Sequence, residues 1–252
     1  MRPKKKLKAS SRIPLRNFRV STNKMVKFVL LVLCTLACTP QTFGESLANI
    51  LARMDQAAPG FKGVTAKLEL INYTAILSDT TKERGTLQMQ RLRSDDIRAI
   101  IDFRALPENA RVVSFQGKSL KIYYPNTKEV QEYATGKNAD VLNQFLLLGF
   151  GSSGKDLQAN YVITEDGSES IEGRETTKLK LIPKDPELKS KLSEVELWIP
   201  TDATYPLQQK FSESKASGNY RQVTYSDVKI NPDMKTPLQF DIPKNTAKKK
   251  AN

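Results

Sequence analysis

The chain has 252 residues, of which 39% are hydrophobic, and this is enough for one domain with a substantial core. Its net charge of +13 comes from the two ends: residues 1–44 hold ten Lys and Arg, residues 244–252 hold four Lys, and neither end holds an acid. The remaining residues, 45–243, carry 26 basic and 27 acidic side chains. A nucleic-acid-binding protein needs its basic groups on a folded face, so this distribution argues against that class.

Residues 1–44 have the pattern of an export signal. Lys24 and Lys27 flank the start of an apolar run, residues 28–37, that is too short to span a bilayer. Small residues at Thr42 and Gly44 predict cleavage before Glu45 and therefore export to the periplasm. Two points stay open here. The apolar run is alternatively a short membrane anchor. Residues 1–24 are either a long basic extension of the signal or lie upstream of the true start.

Both cysteines of the chain, Cys34 and Cys38, lie in this leader. The exported domain would then contain no disulfide and would depend on its core for stability. The sequence Thr35-Leu36-Ala37-Cys38 is close to a lipobox, so a lipid anchor at Cys38 is a further alternative for the leader.

An amphipathic helix is predicted at the start of the exported domain, over residues 45–56. Leu47, Ile50, Leu51 and Met54 fall at i, i+3, i+4 and i+7 and form one apolar face. Ser46 is a suitable N-cap, and the Pro-Gly pair at 59–60 ends the helix.

After this helix the apolar period changes to two, which predicts β-strands with one apolar and one polar face. Strands of this kind form antiparallel sheets, and the gaps between them are too short for parallel crossovers. Eight or more such strands favour a barrel or a strongly curled sheet, so the predicted fold class is mainly β with a few helices. The predicted strands are residues 64–70, 86–90, 97–103, 120–124, 177–181, 195–199, 207–211 and 221–227.

Three other segments complete the prediction. Residues 141–148 are apolar nearly all round, which predicts a short buried helix or a cover for an apolar opening. The glycine-rich residues 149–154 follow a helix rather than a strand, so we interpret them as a flexible connector and not as a phosphate-binding loop. Residues 244–252 are predicted to be a disordered Lys-rich tail.

The chemistry of common active sites is missing from the sequence. The chain has no histidine, and both cysteines lie in the leader, so the usual general base, thiol nucleophile and zinc ligands are unavailable to the domain. The carboxylate pairs at 95–96 and 165–166 are adjacent along predicted strands or turns and therefore point to opposite faces. We expect no enzyme activity, no metal and no cofactor.

The order of elements resembles the family of outer-membrane lipoprotein carriers, the LolA family, over residues 45–243. A signal cleavage site and an amphipathic helix come first, and an apolar helix lies in mid-chain. The segments that carry the resemblance are Gly85-Thr-Leu-Gln-Met-Gln-Arg91, Phe115-Gln-Gly-Lys-Ser-Leu-Lys-Ile-Tyr-Tyr-Pro-Asn126, Leu197-Trp-Ile-Pro200, Tyr205-Pro-Leu207, Val223-Thr-Tyr-Ser-Asp-Val-Lys-Ile-Asn231 and Phe240-Asp-Ile-Pro243.

The resemblance implies an incomplete antiparallel β-barrel with a helical lid over an apolar cavity. It implies a monomeric periplasmic carrier whose partners are acylated lipoproteins or free lipid, an inner-membrane lipoprotein-release machinery and an outer-membrane acceptor. A lipid-binding regulator or sensor and a membrane-anchored acceptor on the same fold are the alternatives.

The same resemblance and the strand parity give the candidate site residues. Arg91 matches the family's arginine that holds the lid closed, and it has the inward parity of Leu87 and Met89; alternatively, the strand ends at Gln90 and Arg91 is solvated. Leu92 stands where the family often has Pro. The predicted cavity residues are Leu68, Leu70, Leu87, Met89, Ile101, Phe103, Ile122 and Leu197, and the predicted lid residues are Leu47, Ile50, Leu51, Met54, Phe145 and Leu146.

Overall fold

The computed structural model describes residues 45–251, with gaps at 95, 106, 118 and 135–147. By its contacts the chain divides into residues 1–43 and 44–252, and the fold described below is that of the second unit. In the described part of the chain, the helices are too short to cross a membrane as apolar spans.

The described residues form helices and strands in a mainly β arrangement. The helices are α1 (Leu47–Ala57), α2 (Gly154–Asn160) and α3 (Pro186–Lys191). The strands are β1 (Gly63–Thr74), β2 (Asp79–Arg93), β3 (Asp96–Asp102), β4 (Val112–Gln116), β5 (Ser119–Tyr124), β6 (Glu129–Ala134), β7 (Tyr161–Ile171), β8 (Arg174–Pro183), β9 (Glu194–Pro200), β10 (Gln208–Ser212), β11 (Tyr220–Ile230) and β12 (Ala247–Ala251).

All twelve of these strands belong to one open, curled sheet. Their order is β12-β6-β5-β4-β3-β2-β1-β11-β10-β9-β8-β7. The pairings are antiparallel except that of β12 with β6, which is parallel. The predicted antiparallel, strongly curled sheet with few helices is therefore confirmed.

The register of the strands gives the sheet one mainly apolar face, which Gln209 and Glu83 interrupt. Leu197 of β9 lies opposite Gln209, which lies opposite Val223, which lies opposite Leu70. Further along, Leu87 lies opposite Ile101, and β4 and β5 continue the same face. We call this the inner face, because α1 and α2 pack against it through Ile50, Leu51, Met54 and Leu157.

The C-terminal segment covers part of the opposite face of the sheet. Phe240 and Ile242 pack against a small cluster of Val112, Tyr123 and Val130. The Gln90 side chain lies beneath this segment: its Nε2 donates to Thr236 Oγ1 at 3.1 Å, and its Oε1 accepts from the Leu238 backbone N at 2.7 Å. Gln90 lies on the predicted polar face of the sheet, and the C-terminal segment buries it by packing over that face.

The Lys-rich tail departs from the prediction. We expected disorder over 244–252, but residues 247–251 form β12 and pair in parallel with β6. Backbone hydrogen bonds to the sheet edge do not depend on apolar side chains, so a segment without apolar periodicity can still add a strand.

The predicted N-terminal helix and the predicted strands are present, with small shifts at their ends. The Ser46 hydroxyl accepts from the Asn49 backbone N, as an N-cap does. β2 continues to Arg93, with a register irregularity between Arg91 and Arg93. The predicted helix over residues 141–148 lies outside the described residues except at Leu148, which is in a turn.

Candidate functional site

The eight predicted cavity residues lie on the inner face, but they do not all line open space. Leu197 is buried against the helices, in the cluster that α1 and α2 close. Leu68, Leu87, Met89 and Phe103 are buried in a second cluster under Phe61 and Phe150. Leu70, Ile101 and Ile122 are half-buried.

These three half-buried side chains belong to a larger apolar strip. We define the apolar strip by the half-buried inner-face residues Leu70, Ile101, Val113, Leu120, Ile122 and Val223. The strip crosses from β11 to β5, away from the strands under α1 and α2. It is therefore the part of the inner face that the described helices leave least covered.

One end of the strip is polar. A cavity of about 550 Å³ lies there, with Glu83, Arg111, Tyr124 and Gln131 among its lining. Arg111 donates to both carboxylate oxygens of Glu83, at 2.5 and 2.8 Å, and its guanidinium lies 4.3 Å from the centre of the Phe103 ring. The hydrogen bonds from Arg111 hold the pKa of Glu83 below its ordinary value, although burial opposes them.

Two helices and a loop close the other side of the inner face, and we call α1, α2 and residues 148–153 the cover. Of the predicted lid residues, Ile50, Leu51 and Met54 are buried and Leu47 is half-buried against the same cluster. Phe145 and Leu146 lie outside the described residues. The two helices approach closely at Gly154, where an added Cβ would lie 2.5 Å from the Leu51 carbonyl oxygen.

Arg91 joins the sheet to the C-cap of α1 and to the loop of the cover. From β2 it points to the inner face, where Nη1 donates to the Ala58 carbonyl at 3.1 Å and Nη2 donates to the Gly151 carbonyl at 2.7 Å. The guanidinium also lies 5.2 Å from the centre of the Phe61 ring. Burial lowers the pKa of Arg91, and the nearby Asp156 opposes that effect.

The glycine-rich segment is packed and is not a free connector, contrary to the prediction. Phe150 is only 2% exposed and packs against Tyr205 and Tyr225. Gly151 has a φ of +78°, and a Cβ there would collide with the Phe61 ring. The glycines therefore let the loop turn sharply and lie flat against the core.

Gln209 and Arg53 hold the cover at two further points that sequence reasoning missed. Gln209 Nε2 donates to the Leu148 carbonyl, and its Oε1 accepts from the Tyr225 hydroxyl at 2.8 Å. Arg53 of α1 donates to the carbonyls of Ala203 and Pro200 and pairs with Glu45. A sequence signal for Gln209 exists: it has the parity of Leu207 and Phe211, which places a polar side chain on the apolar face of that strand.

Another cavity lined by described residues lies mainly on the opposite face of the sheet. It measures about 820 Å³, and its charged lining includes Lys67 and the ion pairs Arg84–Glu69 and Arg104–Asp102. No group of acidic side chains with metal-site spacing occurs among the described residues.

A family model described as an uncharacterized protein matches residues 102–251. The chain belongs to this family. No curated protein matches the sequence.

Several solved structures resemble the fold at low sequence identity. One is an uncharacterized conserved protein from Thermus thermophilus, with TM-score 0.48, 11% identity and coverage of 82% of this chain and 100% of that one. Another is the LppX lipoprotein from Mycobacterium tuberculosis, with TM-score 0.41, 16% identity and coverage of 78% and 100%. A LolA superfamily protein from Nitrosomonas europaea has TM-score 0.34, 14% identity and coverage of 76% and 96%.

These similarities all lie below 25% identity and below a TM-score of 0.5, so they carry no argument about function. We therefore base the function of this chain on its own contacts.

Proposed function

We propose that the protein is an extracytoplasmic carrier that holds acyl chains of lipoproteins or free lipid against the inner face of its sheet. The observation that carries the proposal is the mainly apolar inner face, which has a half-buried apolar strip and a cover fixed by a few polar contacts. The export pattern of residues 1–44 supports a location in the periplasm.

The amount of apolar surface on the inner face fits an acyl ligand better than a polar ligand. Burying a sixteen-carbon chain yields about 12 kcal/mol gross, at about 0.8 kcal/mol per CH₂. The apolar strip alone is too exposed to supply this much, but the strip extended by the buried residues beneath the cover is a much larger surface. Loading therefore requires the cover to move.

The contacts of the cover suit such a movement. Arg91 and Gln209 hold the loop, and Arg53 holds α1, through hydrogen bonds to backbone carbonyl groups. Each hydrogen bond contributes about 0.5–1.5 kcal/mol net, or more with a charged donor. A bound acyl chain could offset their loss, so cargo with higher affinity for the open state would shift the population toward it.

Two neighbouring isoleucines of β3 allow a matched test. Ile101 belongs to the apolar strip, whereas Ile100 faces the opposite side and packs against the cluster of Val112, Tyr123 and Val130; both isoleucines are half-buried. We expect Ile101→Gln to weaken binding of a fluorescent fatty-acid ester by roughly 10-fold, since an apolar contact worth about 1–2 kcal/mol is lost and an amide is buried.

The control variant, Ile100→Gln, should cost similar stability and leave that affinity unchanged. Equal affinities for wild type and both variants would refute an inner-face site. Mass spectrometry of lipid extracted from the natively purified full chain then identifies the cargo class, and a protein recovered in place of lipid would favour a regulatory role.

A further inference from the structure

Two large aliphatic side chains are exposed at the tip of the hairpin that β1 and β2 form. The two strands are joined by a short 3₁₀ turn, Ala75–Leu77. In this turn Ile76 is 90% exposed and Leu77 is 72% exposed. Apolar side chains that are scattered singly over a protein surface are ordinary, but these two are adjacent and lie together at the end of a hairpin. The tip therefore calls for a surface that covers it.

The exposed turn is held in one conformation by the neighbouring turn between β10 and β11. The Ala75 backbone N donates to Asn219 Oδ1 at 2.9 Å, and the Ser78 backbone N donates to the Ala75 carbonyl at 3.0 Å. Next to the turn, Tyr73 stacks on Tyr220 with the ring centres 5.0 Å apart. A tip that is already ordered loses little conformational entropy when it binds.

The tip lies at the end of the hairpin away from the cover. At the cover end of the hairpin, Gly63 lies opposite Gln90. Towards the tip, the pairing of β2 with β3 begins at Thr86, so Asp79–Gly85 extend about 20 Å past the end of β3. Leu70 of the apolar strip lies on β1 between these two ends. The exposed turn thus projects from the end of the inner face that is farthest from the cover.

The side chains around the tip follow the order of layers in a membrane surface. The aliphatic pair is outermost, the stacked tyrosines come next, and charged side chains surround them. Three of these are the exposed basic residues Lys82, Lys215 and Arg221, and two are the acids Asp79 and Glu213. Aliphatic side chains favour the acyl region of a bilayer, tyrosines favour its interface, and basic groups favour anionic headgroups.

A bilayer fits this tip better than a protein partner does. A stable protein interface buries about 800 Å² on each partner and usually contains aromatic or arginine anchors at its centre. Two aliphatic side chains on a convex turn supply only a small part of that area. A bilayer needs no shaped pocket to receive them, and the weak, reversible binding of so small an apolar group suits a carrier that must leave the membrane again.

From these observations we propose that the β1–β2 turn is a membrane-docking tip, at which Ile76 and Leu77 enter the acyl region of an anionic bilayer. The inference rests on the proposed carrier function for its purpose, since docking would bring the apolar strip to the membrane that gives or receives the acyl chain. The insertion itself does not depend on bound cargo, so it can be tested separately.

A tryptophan at the tip reports insertion directly. The full chain carrying Leu77→Trp is mixed with vesicles of phosphatidylcholine and phosphatidylglycerol, with and without bromine on the acyl chains, since bromine quenches a ring that reaches it. We expect Leu77→Trp to shift its emission to the blue and to lose intensity on the brominated vesicles. The natural Trp198 is only 4% exposed and gives a constant background.

Val162→Trp is the control for this experiment. Val162 is also an exposed apolar residue, 53% exposed, but it lies on β7 at the other edge of the sheet, so its tryptophan should keep its intensity. A Leu77→Trp chain that is not quenched overturns the docking tip. Equal quenching at both positions overturns it as well, because insertion would then not be specific to the turn.

Transfer of cargo distinguishes docking from carrying. A chain with both Ile76→Ser and Leu77→Ser should bind a fluorescent palmitoyl ester as wild type does, because neither side chain belongs to the apolar strip. It should transfer the ester to the vesicles about 10-fold more slowly, whereas Val162→Ser should transfer it at the wild-type rate. Equal transfer by the double variant and wild type overturns the docking tip and leaves the carrier function standing. Failure of wild type to bind the ester overturns the carrier function, and the quenching of Leu77→Trp then decides the docking by itself.

Discussion

At the residue scale, the half-buried arginines Arg91 and Arg111 have distinct surroundings. Arg111 faces a carboxylate, whereas Arg91 faces two backbone carbonyl groups, an aromatic ring and a small cavity. A guanidinium has five N–H donors in a fixed plane, so one arginine side chain can donate hydrogen bonds to two separate chain segments. This makes Arg91 suited to holding movable parts together.

Arg91→Leu should leave the fold intact and change the exchange of cargo. The apolar side chain suits the buried position, but the carbonyls of Ala58 and Gly151 lose their donor, so the cover opens more readily. We expect faster uptake and faster release of a fluorescent acyl ligand, measured by stopped flow. Arg84→Leu, on the exposed side of the same strand, is the control. Identical rates for Arg91→Leu and wild type would exclude a holding role.

Glu83 should give stability a dependence on acid pH. Because Arg111 holds the pKa of Glu83 below its ordinary 4.5, the charged pair stabilises the fold above about pH 4.5, and this contribution is lost as pH falls through the lower folded value. Glu83→Gln should cost roughly 1.5–3 kcal/mol at pH 7 and much less at pH 3. Urea unfolding at both pH values measures this; a loss that is the same at both would contradict it.

At the element scale, sequence patterns predicted what repeats along the chain. The 3.6-residue period of Leu47, Ile50 and Met54 and the two-residue period of the strands were sufficient for α1 and most of the sheet, because each repeat reports which side chains face the core. The short helix α2 and the packing of Phe150 were missed. Both depend on contacts with residues far along the chain, such as Leu51 and Tyr225.

The close approach of α1 and α2 can be tested at Gly154. Helix propensity alone would make Gly154→Ala stabilising by about 1 kcal/mol. The added methyl group would instead meet the Leu51 carbonyl oxygen and Cβ, so we expect a net loss of about 1–2 kcal/mol in the free energy of unfolding. Gly60→Ala is the control, since an added Cβ there meets open space. A gain in stability for Gly154→Ala would show that α1 and α2 can move apart without lowering the free energy of unfolding.

At the scale of the whole molecule, an open sheet leaves two edges and a second face to protect. The inner face has its cover, and the C-terminal segment protects other parts by crossing the opposite face and adding β12 to the edge at β6. Neither feature could be predicted from the sequence, because residues 232–246 show no regular period and four lysines suggested a solvated tail. These residues adopt a defined structure because they pack on the opposite face of the sheet and pair with its edge strand β6.

Two truncations distinguish the parts of this C-terminal segment. Ending the chain after Asn231 removes Leu238, Phe240 and Ile242 from the sheet and uncovers the cluster of Val112, Tyr123 and Val130. At roughly 1.5–3 kcal/mol for each well-buried side chain, less for half-buried ones, we expect a loss of about 3–6 kcal/mol.

Ending the chain after Thr246 removes only β12 and its contacts with the sheet edge, which include the ion pair of Lys249 with Glu129. Exposed pairs contribute about 0–1 kcal/mol, so this shorter truncation should lower the unfolding free energy far less than the longer one. Urea unfolding of the two truncated chains beside the full chain makes the comparison. Equal losses would mean that the edge strand, and not the burial of apolar side chains on the opposite face, is what the C-terminal segment contributes to stability.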